Sequence, residues 1–429
     1  MKLLFPNFFV GSDAPACTRT CALLCLIFIF PFSVSAQIFY TPPLLVPYVN
    51  EAPQIISRAA VLIDAQTGAL LYSKNPDEEI PPASMAKLMV MHLLMQEIEE
   101  GRASLDEIIP ITAESWAQNQ PPRSSLMFLE PGQTVTLREI MLGLAVPSGN
   151  DAAVAAALRL APTVEDFAGM MTAEARRMGM NVTRFVEPSG ISHHNITTAQ
   201  EFALFSREYI RLHPQSLEYF HSVQSFAFPL AANVLERNRQ NPRTIVQNSQ
   251  NVLLRTFPGV DGLKTGFINQ SGFNIALTAQ REQSRFILVL LGAPAIPRVG
   301  SRIRLEDSTR LLTWAFENFR TVRPEICLIE HYGLKNARLW KGRENTVELK
   351  LAEPAYFTSP VNRAGQLRFE VVIPSPLTAP FPAGFFAGYL DISDEYGELH
   401  RAPLVTAASS EKGNIFKRIW HRILLLFHG

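Results

Sequence analysis

The sequence has little with which to staple itself together. Of four cysteines, Cys17, Cys21 and Cys25 crowd the N-terminus and only Cys327 stands elsewhere. Once the N-terminal segment is removed on export, no internal disulfide is possible and the core must hold without one. There is no charge bias either. The chain carries 39 basic and 39 acidic residues, a balance that gives no electrostatic footprint for nucleic acid. No phosphate-binding glycine loop, metalloprotease helix motif, internal repeat or low-complexity tract occurs. His193 and His194 stand together in "GISHHNITT", but no carboxylate or further histidine follows at ligand spacing. A loop or helix-cap role is expected for them, and neither metal nor other cofactor.

Long apolar runs are scarce as well. The run "CALLCLIFIFPFSVSA" follows Lys2 and Arg19; it is short for a membrane span and about right for a signal-peptide core. Val34-Ser35-Ala36 ends it with a small residue, so residues 1–36 are expected to be a signal peptide cleaved after Ala36. An uncleaved signal anchor is the alternative.

What is present is enough for two packed domains: 429 residues, 47% of them apolar. Residues 37–55 form a Pro-rich lead-in. Over 56–319, two β-prone runs in "SRAAVLIDAQTGALLYSKN" flank a turn and predict a hairpin. Helical patterns follow at "KLMVMHLLMQEIEE", "TLREIMLGLAV", "DAAVAAALRL", "VEDFAGMMTAEARRMGM" and "TAQEFALFSREYIRL". Strand character resumes at "GVDGLKTGF", "SGFNIALTAQ" and "RFILVLLGA", and the helix "SRIRLEDSTRLLTWAFENF" closes the segment. Strands at both ends with helices between predict an α+β domain, an antiparallel sheet flanked by helices. Short alternating strands over 320–408 predict a small all-β domain. Residues 409–429 end in a basic amphipathic helix with Phe416, Ile419, Trp420 and Ile423 on its apolar side. That pattern suits an in-plane membrane anchor; packing on the β module or on a second subunit is the other possibility.

One stretch, "PPASMAKLM", sets a serine at the mouth of the first helix and a lysine one turn later. Alone, Ser-x-x-Lys is weak: Ser409 and Lys412 match it too. Ser-x-Asn is likewise cheap, occurring at Ser148–Asn150 and again at Ser249–Asn251. Lys264-Thr265-Gly266 occurs once. The weight lies in the order Ser84-x-x-Lys87, Ser148-Gly149-Asn150, Lys264-Thr265-Gly266, opening a helix, in a turn and in a strand.

With these words in that order, the chain resembles the active-site-serine penicillin-recognising enzymes. Within them it is similar to the D-alanyl-D-alanine carboxypeptidases, the low-molecular-mass penicillin-binding proteins. The flanking words "SLMFLEPGQTVTL", "SGNDAAVA", "EPSGIS" and "GVDGLKTGF" extend the likeness from about Ala59 to Phe319. The resemblance implies a serine β-lactamase/DD-peptidase-like fold and a serine D-Ala-D-Ala carboxypeptidase. Its partners would be peptidoglycan stem peptides, β-lactams as inhibitors, and the periplasmic face of the cytoplasmic membrane.

The chemistry needs such a set. A serine hydroxyl is a weak nucleophile without an adjacent base, and Ser84 and Lys87 at i and i+3 share a helix face. Lys87 can be that base only when neutral, so burial and a second cation, Lys264, are expected to depress its pKa. Ser148 is expected to relay a proton to the leaving amine, and Asn150 to orient Lys87 and the substrate. Lys264 and Thr265 would receive the terminal carboxylate, while Gly266 would leave room for substrate along the strand. By resemblance, the backbone N–H groups of Ser84 and Phe267 form the oxyanion hole.

There are departures. Phe267 stands where relatives commonly carry His or Tyr. Ser249 and Gln250 occupy the neighbourhood where many relatives have an arginine, with Arg255 further along. Arg123, in "WAQNQPPRSSLMF", is either a substrate contact or a solvated side chain. Three other functions stand beside the carboxypeptidase: a DD-endopeptidase of the same family, a class A β-lactamase and a silent wall-binding protein. The lactamase would need a Glu-x-x-x-Asn loop, and Glu187 begins only "EPSGI".

Overall fold

The computed structural model describes residues 51–323, 334–361, 367–394 and 397–426. The expected signal peptide, most of the lead-in and Cys327 lie outside these residues.

Strand β1 (Ala59–Asp64) is buried at every position. Its alternate side chains feed two cores, as a pleated strand requires: Ala59, Val61 and Ile63 one, Ala60 and Leu62 the other. Both faces of the sheet are therefore covered, which is why the strand is a continuous apolar run. Strand β2 (Leu70–Lys74) pairs antiparallel with it, forming the expected hairpin.

A single 3-10 turn, Ala83–Ala86, then runs into α1 (Lys87–Glu99). The short strands β3 (Ile108–Ile109) and β4 (Val135–Thr136) pair and lead to α2 (Leu137–Ala145). Thr136 and Glu139 close a reciprocal capping box at its start. Helices α3 (Asn150–Leu160), α4 (Val164–Arg177) and α5 (Ala199–Leu212) follow. Thr163 and Thr198 cap α4 and α5. Strands β5 (Ser225–Phe228) and β6 (Ile245–Asn248) form a side hairpin, and α6 (Leu253–Thr256) is one turn.

Strands β7 (Val260–Ile268), β8 (Gly272–Arg281) and β9 (Ser284–Ala293) complete the sheet in the order β2-β1-β9-β8-β7. Every pairing in it is antiparallel. Helices α1 to α5 cover one face, and α7 (Val299–Asn318) the other through Leu311, Leu312, Trp314 and Ala315. This is the flanked antiparallel sheet that the sequence predicts. Strand β7 forms one edge, and the turn before α1 is tied to its neighbour: Asn274 on β8 donates to the Pro81 carbonyl at 2.9 Å.

Beyond α7, β10 (Phe319–Val322) pairs with β14 (Phe357–Pro360), and β11 (Ala337–Arg338) with β12 (Thr346–Val347). Strands β13 (Leu349–Leu351), β15 (Arg368–Val372), β16 (Phe386–Asp394) and β17 (Gly397–Thr406) make a four-stranded antiparallel sheet. These strands enclose their own core, built on Leu339, Phe357, Leu390, Ile392 and Leu404. Thr321 and Thr358 both donate to the buried Asp64 carboxylate, at 2.6 and 2.9 Å, joining this module to β1.

Helix α8 (Ile415–Leu425) closes the description. Its polar side meets the β module: the Lys341 N–H donates to His421 Nδ1 at 2.8 Å, and Lys417 donates to the Arg343 and Glu344 carbonyls. Its apolar side is bare, with Phe416 81% and Trp420 59% exposed. No described helix is long and apolar enough to cross a membrane.

Candidate active site

The three short words, spread over 183 positions from Ser84 to Gly266, meet in one place. Lys87 Nζ stands 3.0 Å from Ser84 Oγ and donates to Asn150 Oδ1 at 2.8 Å and to the Ser189 carbonyl. Lys264 Nζ donates to Ser148 Oγ at 2.8 Å and to the Thr265 carbonyl at 3.1 Å. Asn150 Nδ2 donates in turn to Ser124 Oγ at 3.1 Å. Ser84, Lys87 and Asn150 thus form one hydrogen-bonded set and Lys264 and Ser148 another, with Ser84, Ser148 and Asn150 lining a single cleft.

Local backbone explains the placement. Ser84 lies in the tight turn ahead of α1, so its side chain and that of Lys87 project to the same side. Strand β7 passes close behind: a Cβ at Gly266 would lie 2.6 Å from the Pro82 carbonyl and 3.1 Å from the Ser84 nitrogen. Gly266 is therefore needed by the protein's own packing, a reason distinct from the substrate clearance expected for it. Gly190 is needed more sharply still. Its φ is +82°, and a Cβ there would sit 1.9 Å from the Ala83 carbonyl oxygen.

Ser148 holds a φ of 64°, an uncommon conformation for a residue with a side chain. The Asp151 carboxylate stabilises that neighbourhood. It accepts from the N–H groups of Met127, Phe128 and Leu129 at 2.8, 2.8 and 3.0 Å, pinning their loop to the start of α3.

Electrostatics single out the amines. Burial lowers Lys87 from its ordinary value to about 7, against the opposing charges of Glu187 and Asp151. Lys264 is held well below its ordinary value by burial first, then by the charges of Lys87 and Arg304. The sequence leads one to expect burial and Lys264 together to depress Lys87. Burial does lower it, while the repulsion between the two amines falls on Lys264. At neutral pH a large fraction of Lys87 is unprotonated and able to accept a proton from Ser84.

The cleft, of about 460 Å³, is lined by Ser84, Ser148, Asn150, Thr265, Gly266 and Phe267 among others. Lys87 and Lys264 sit behind this wall, fully buried. Arg123 reaches the rim as an exposed side chain. Phe267 is 40% exposed and packs against Phe273, ring centres 4.3 Å apart. Gln250 lines the cleft, Ser249 is buried beside it, and Arg255 lies elsewhere.

Some contributors carried no sequence signal. The Ser189 carbonyl that receives Lys87 is a backbone group. Glu187 holds that segment, accepting from the Ser189 and Ser192 N–H groups at 2.7 and 3.1 Å and from Asn195 Nδ2 at 2.9 Å. Only the word "EPSG" hinted that these residues matter. His193 and His194 sit exposed in the next loop, rings 4.0 Å apart. Among the described residues no group of three His, Cys, Asp or Glu side chains gathers around a metal-sized space.

Comparison with known proteins finds relatives along most of the chain. Residues 47–295 match the family profile described as D-alanyl-D-alanine carboxypeptidase. Residues 330–412 match the one described as penicillin-binding protein 5, C-terminal domain. The chain is 31% identical over 383 residues to the D-alanyl-D-alanine carboxypeptidase DacC of Escherichia coli, covering 88% of this chain and 90% of the relative. It is 30% identical to a D-alanyl-D-alanine endopeptidase of Pseudomonas aeruginosa, over 68% of this chain and 87% of that protein. Among solved structures, penicillin-binding protein 5 of Haemophilus influenzae superposes with a TM-score of 0.73 at 27% identity, over 85% of this chain and all of that one.

Proposed function

The chain belongs to the D-alanyl-D-alanine carboxypeptidase family, and from that premise we propose how its residues divide the work. It is a serine-type carboxypeptidase that trims the terminal D-Ala from peptidoglycan stem peptides. The observation that carries the division is the 3.0 Å contact between the buried Lys87, lowered to about 7, and Ser84 Oγ.

Ser84 Oγ attacks the carbonyl carbon of the penultimate D-Ala while Lys87 Nζ takes its proton. The oxygen left with negative charge is received by the backbone N–H groups of Ser84 and Phe267, donors that do not have to reorganise during the reaction. The C–N bond then breaks, and the proton that Lys87 took passes to the leaving amine through the Ser148 hydroxyl, which Lys264 orients from 2.8 Å, so that Lys87 is neutral again. Asn150 holds Lys87 and, through its amide, the substrate backbone. Water, deprotonated by Lys87, hydrolyses the acyl-enzyme. A β-lactam follows the same first half, but its departing nitrogen stays tethered, so the acyl group lingers.

A fluorescent penicillin tests the assignment: intact protein labels once, at Ser84, and Ser84→Ala does not label and releases no D-Ala. A wild-type protein that folds yet takes no label overturns it. An endopeptidase preference is the second reading, favoured by the Pseudomonas relative. The match of the C-terminal module to that of penicillin-binding protein 5 supports the carboxypeptidase. Side-by-side digestion of cross-linked and free muropeptides separates the two.

The same proposal covers location and domains. Residues 1–36 direct export, 56–319 form the catalytic domain and 320–408 the β domain. Residues 409–429 seat the enzyme on the periplasmic surface of the inner membrane. The bare apolar side of α8 supports that seat. Paired Phe416→Glu and Trp420→Glu substitutions are expected to abolish co-sedimentation with vesicles while leaving D-Ala release intact.

A further inference from the structure

Residues 187–192, between α4 and α5, pack directly against the turn that carries the nucleophile. A Cβ on Gly190 would lie 1.9 Å from the Ala83 carbonyl oxygen and 2.7 Å from the Ser84 nitrogen. The Ser189 carbonyl accepts from Lys87 Nζ and lies 3.4 Å from Ser84 Oγ. Gly190 and Ile191 line the cleft beside them. A carbonyl in this position sets where the amine points, so whatever fixes the carbonyl bears on the proton transfer.

One carboxylate does the fixing. Glu187 Oε2 accepts from the Ser189 N–H at 2.7 Å and from the Ser189 hydroxyl at 2.5 Å. Its Oε1 accepts from the Ser192 N–H at 3.1 Å and from Asn195 Nδ2 at 2.9 Å. Asn195 is fully buried and ties the same residue down from behind. Its Nδ2 also donates to the Glu187 carbonyl at 3.0 Å, and its Oδ1 accepts from the Val186 N–H at 2.7 Å. An ionised carboxylate has about four acceptor sites, and all of those on Glu187 are used. None is left to take a proton from a water, and Glu187 is not part of the cleft lining.

Three charged groups bear on Lys87 from the elements around it. Glu187 and Asp151 counter the effect of burial on the amine, and Lys264 on β7 shares its repulsion. Asp151, at the start of α3, spends its hydrogen bonds on the N–H groups of Met127, Phe128 and Leu129. Glu187 spends its own on the segment that Lys87 bonds to. The two carboxylates therefore differ in what they hold, and only Glu187 reaches the Ser189 carbonyl.

We propose that Glu187 is a positioning residue for the serine chemistry: its carboxylate locks the Ser189 carbonyl in place, and that carbonyl holds the Lys87 amine on Ser84. The assignment rests on the reading above that Lys87 takes the Ser84 proton.

The test follows D-Ala release from diacetylated Lys-D-Ala-D-Ala and the rate of penicillin acylation, each as a function of pH. It compares the full chain as wild type, Glu187→Gln and Glu187→Asp. Glutamine offers one acceptor oxygen where glutamate offers two, so Glu187→Gln strands the donors on one side. It is expected to lose about 10- to 100-fold in kcat and in acylation rate, with KM within about threefold of wild type. Its pH profile also moves. With one of the two carboxylates gone, Lys87 gives up its proton at lower pH, so the ratio of kcat/KM at about pH 5.5 to that at about pH 8.5 rises about threefold or more. Glu187→Asp keeps the charge on a shorter arm. It is expected to lose less in kcat and to keep the wild-type pH profile.

A folded Glu187→Gln with wild-type rates overturns the assignment. So does one that loses activity with its pH profile unmoved, the mark of a merely structural loss. If circular dichroism shows Glu187→Gln unfolded, Glu187→Asp decides, and a kcat within about twofold of wild type overturns the assignment. Rapid benzylpenicillin turnover in wild type that Glu187→Gln abolishes without slowing acylation also overturns it, because Glu187 is then a base on the acyl-enzyme. A wild type that labels at Ser84 but releases no D-Ala overturns only the peptidase reading, and the acylation rates then judge Glu187. A wild type that takes no label removes the serine chemistry and this assignment together.

Discussion

Helix α1 carries two buried polar clusters, and they are built on opposite terms. At its first turn, Lys87 is surrounded by neutral acceptors, the Ser84 hydroxyl, the Asn150 amide and the Ser189 carbonyl. Further along, His92 bonds Glu174 at 2.8 Å and His213 at 2.8 Å, and His213 bonds Glu99 at 2.6 Å. Arg177 closes that chain on Glu174. In the second cluster each side chain has a side-chain hydrogen-bond partner, and the Glu174 carboxylate has the Arg177 guanidinium beside it. In the first, the carboxylates of Glu187 and Asp151 act on Lys87 from a distance while hydrogen-bonding elsewhere. A buried cation without a contacting partner is reactive; the same burial with partners is structural.

The sharpest way to break the comparison is to remove one member from each cluster. Lys87→Met should lower acylation and D-Ala release by on the order of 10⁴-fold, as loss of a nucleophile's base does elsewhere. It should leave the melting temperature unchanged or higher, because a desolvated amine has gone. His92→Ala should do the reverse. It strands Glu174 and His213 and opens a cavity, costing about 2–4 kcal/mol in urea unfolding. Acylation per folded molecule should stay within about threefold of wild type. A stable His92→Ala with lost activity would erase the distinction.

The pH dependence sharpens it further. Because Lys87 titrates near 7 in the folded protein, kcat/KM should climb about tenfold per unit at acid pH and level off above 7. For stability the sign is opposite to that of a salt bridge. The unfolded chain keeps this proton up to its ordinary value of 10.5, so folding gains from Lys87 as pH rises between 7 and 10.5.

Glu174 behaves in the other direction, and its effect is the smallest. Burial alone would raise its carboxyl, but the His92 and Arg177 bonds carry it down to about 2. Its contribution is complete above its ordinary 4.5 and fades as pH falls from there toward 2. Acid titration of Glu174→Gln against wild type, followed by near-ultraviolet circular dichroism, should show a weaker loss over that window.

The reactive cluster was legible in the sequence because its members come in short words with fixed local geometry. Ser84 and Lys87 are one helical turn apart, and Lys264 and Thr265 are neighbours on one strand. The β1–β2 hairpin and the strands β7 to β9 were legible for a similar reason: their periodicity is local.

What was hidden depended on distant packing. The Ser189 carbonyl has no side chain to announce it, and Arg304 joins the cleft across the sheet, 40 positions after Lys264. The His92–His213 contact spans 121 positions, while the conspicuous adjacent pair, His193 and His194, lies exposed in a loop. For the C-terminal helix the sequence offered an in-plane membrane anchor or packing on the β module or on a second subunit. Its polar side meets the β module and its apolar side lies exposed, because the two faces carry different residues.

The most direct test is mass spectrometry of the intact protein after penicillin treatment, with the adduct mapped by digestion. A single penicilloyl group on Ser84 in wild type, and none on the same timescale in Lys87→Met, is the expected result. An adduct on any other residue, or equal acylation of Lys87→Met, would show that the buried amine does not activate the serine.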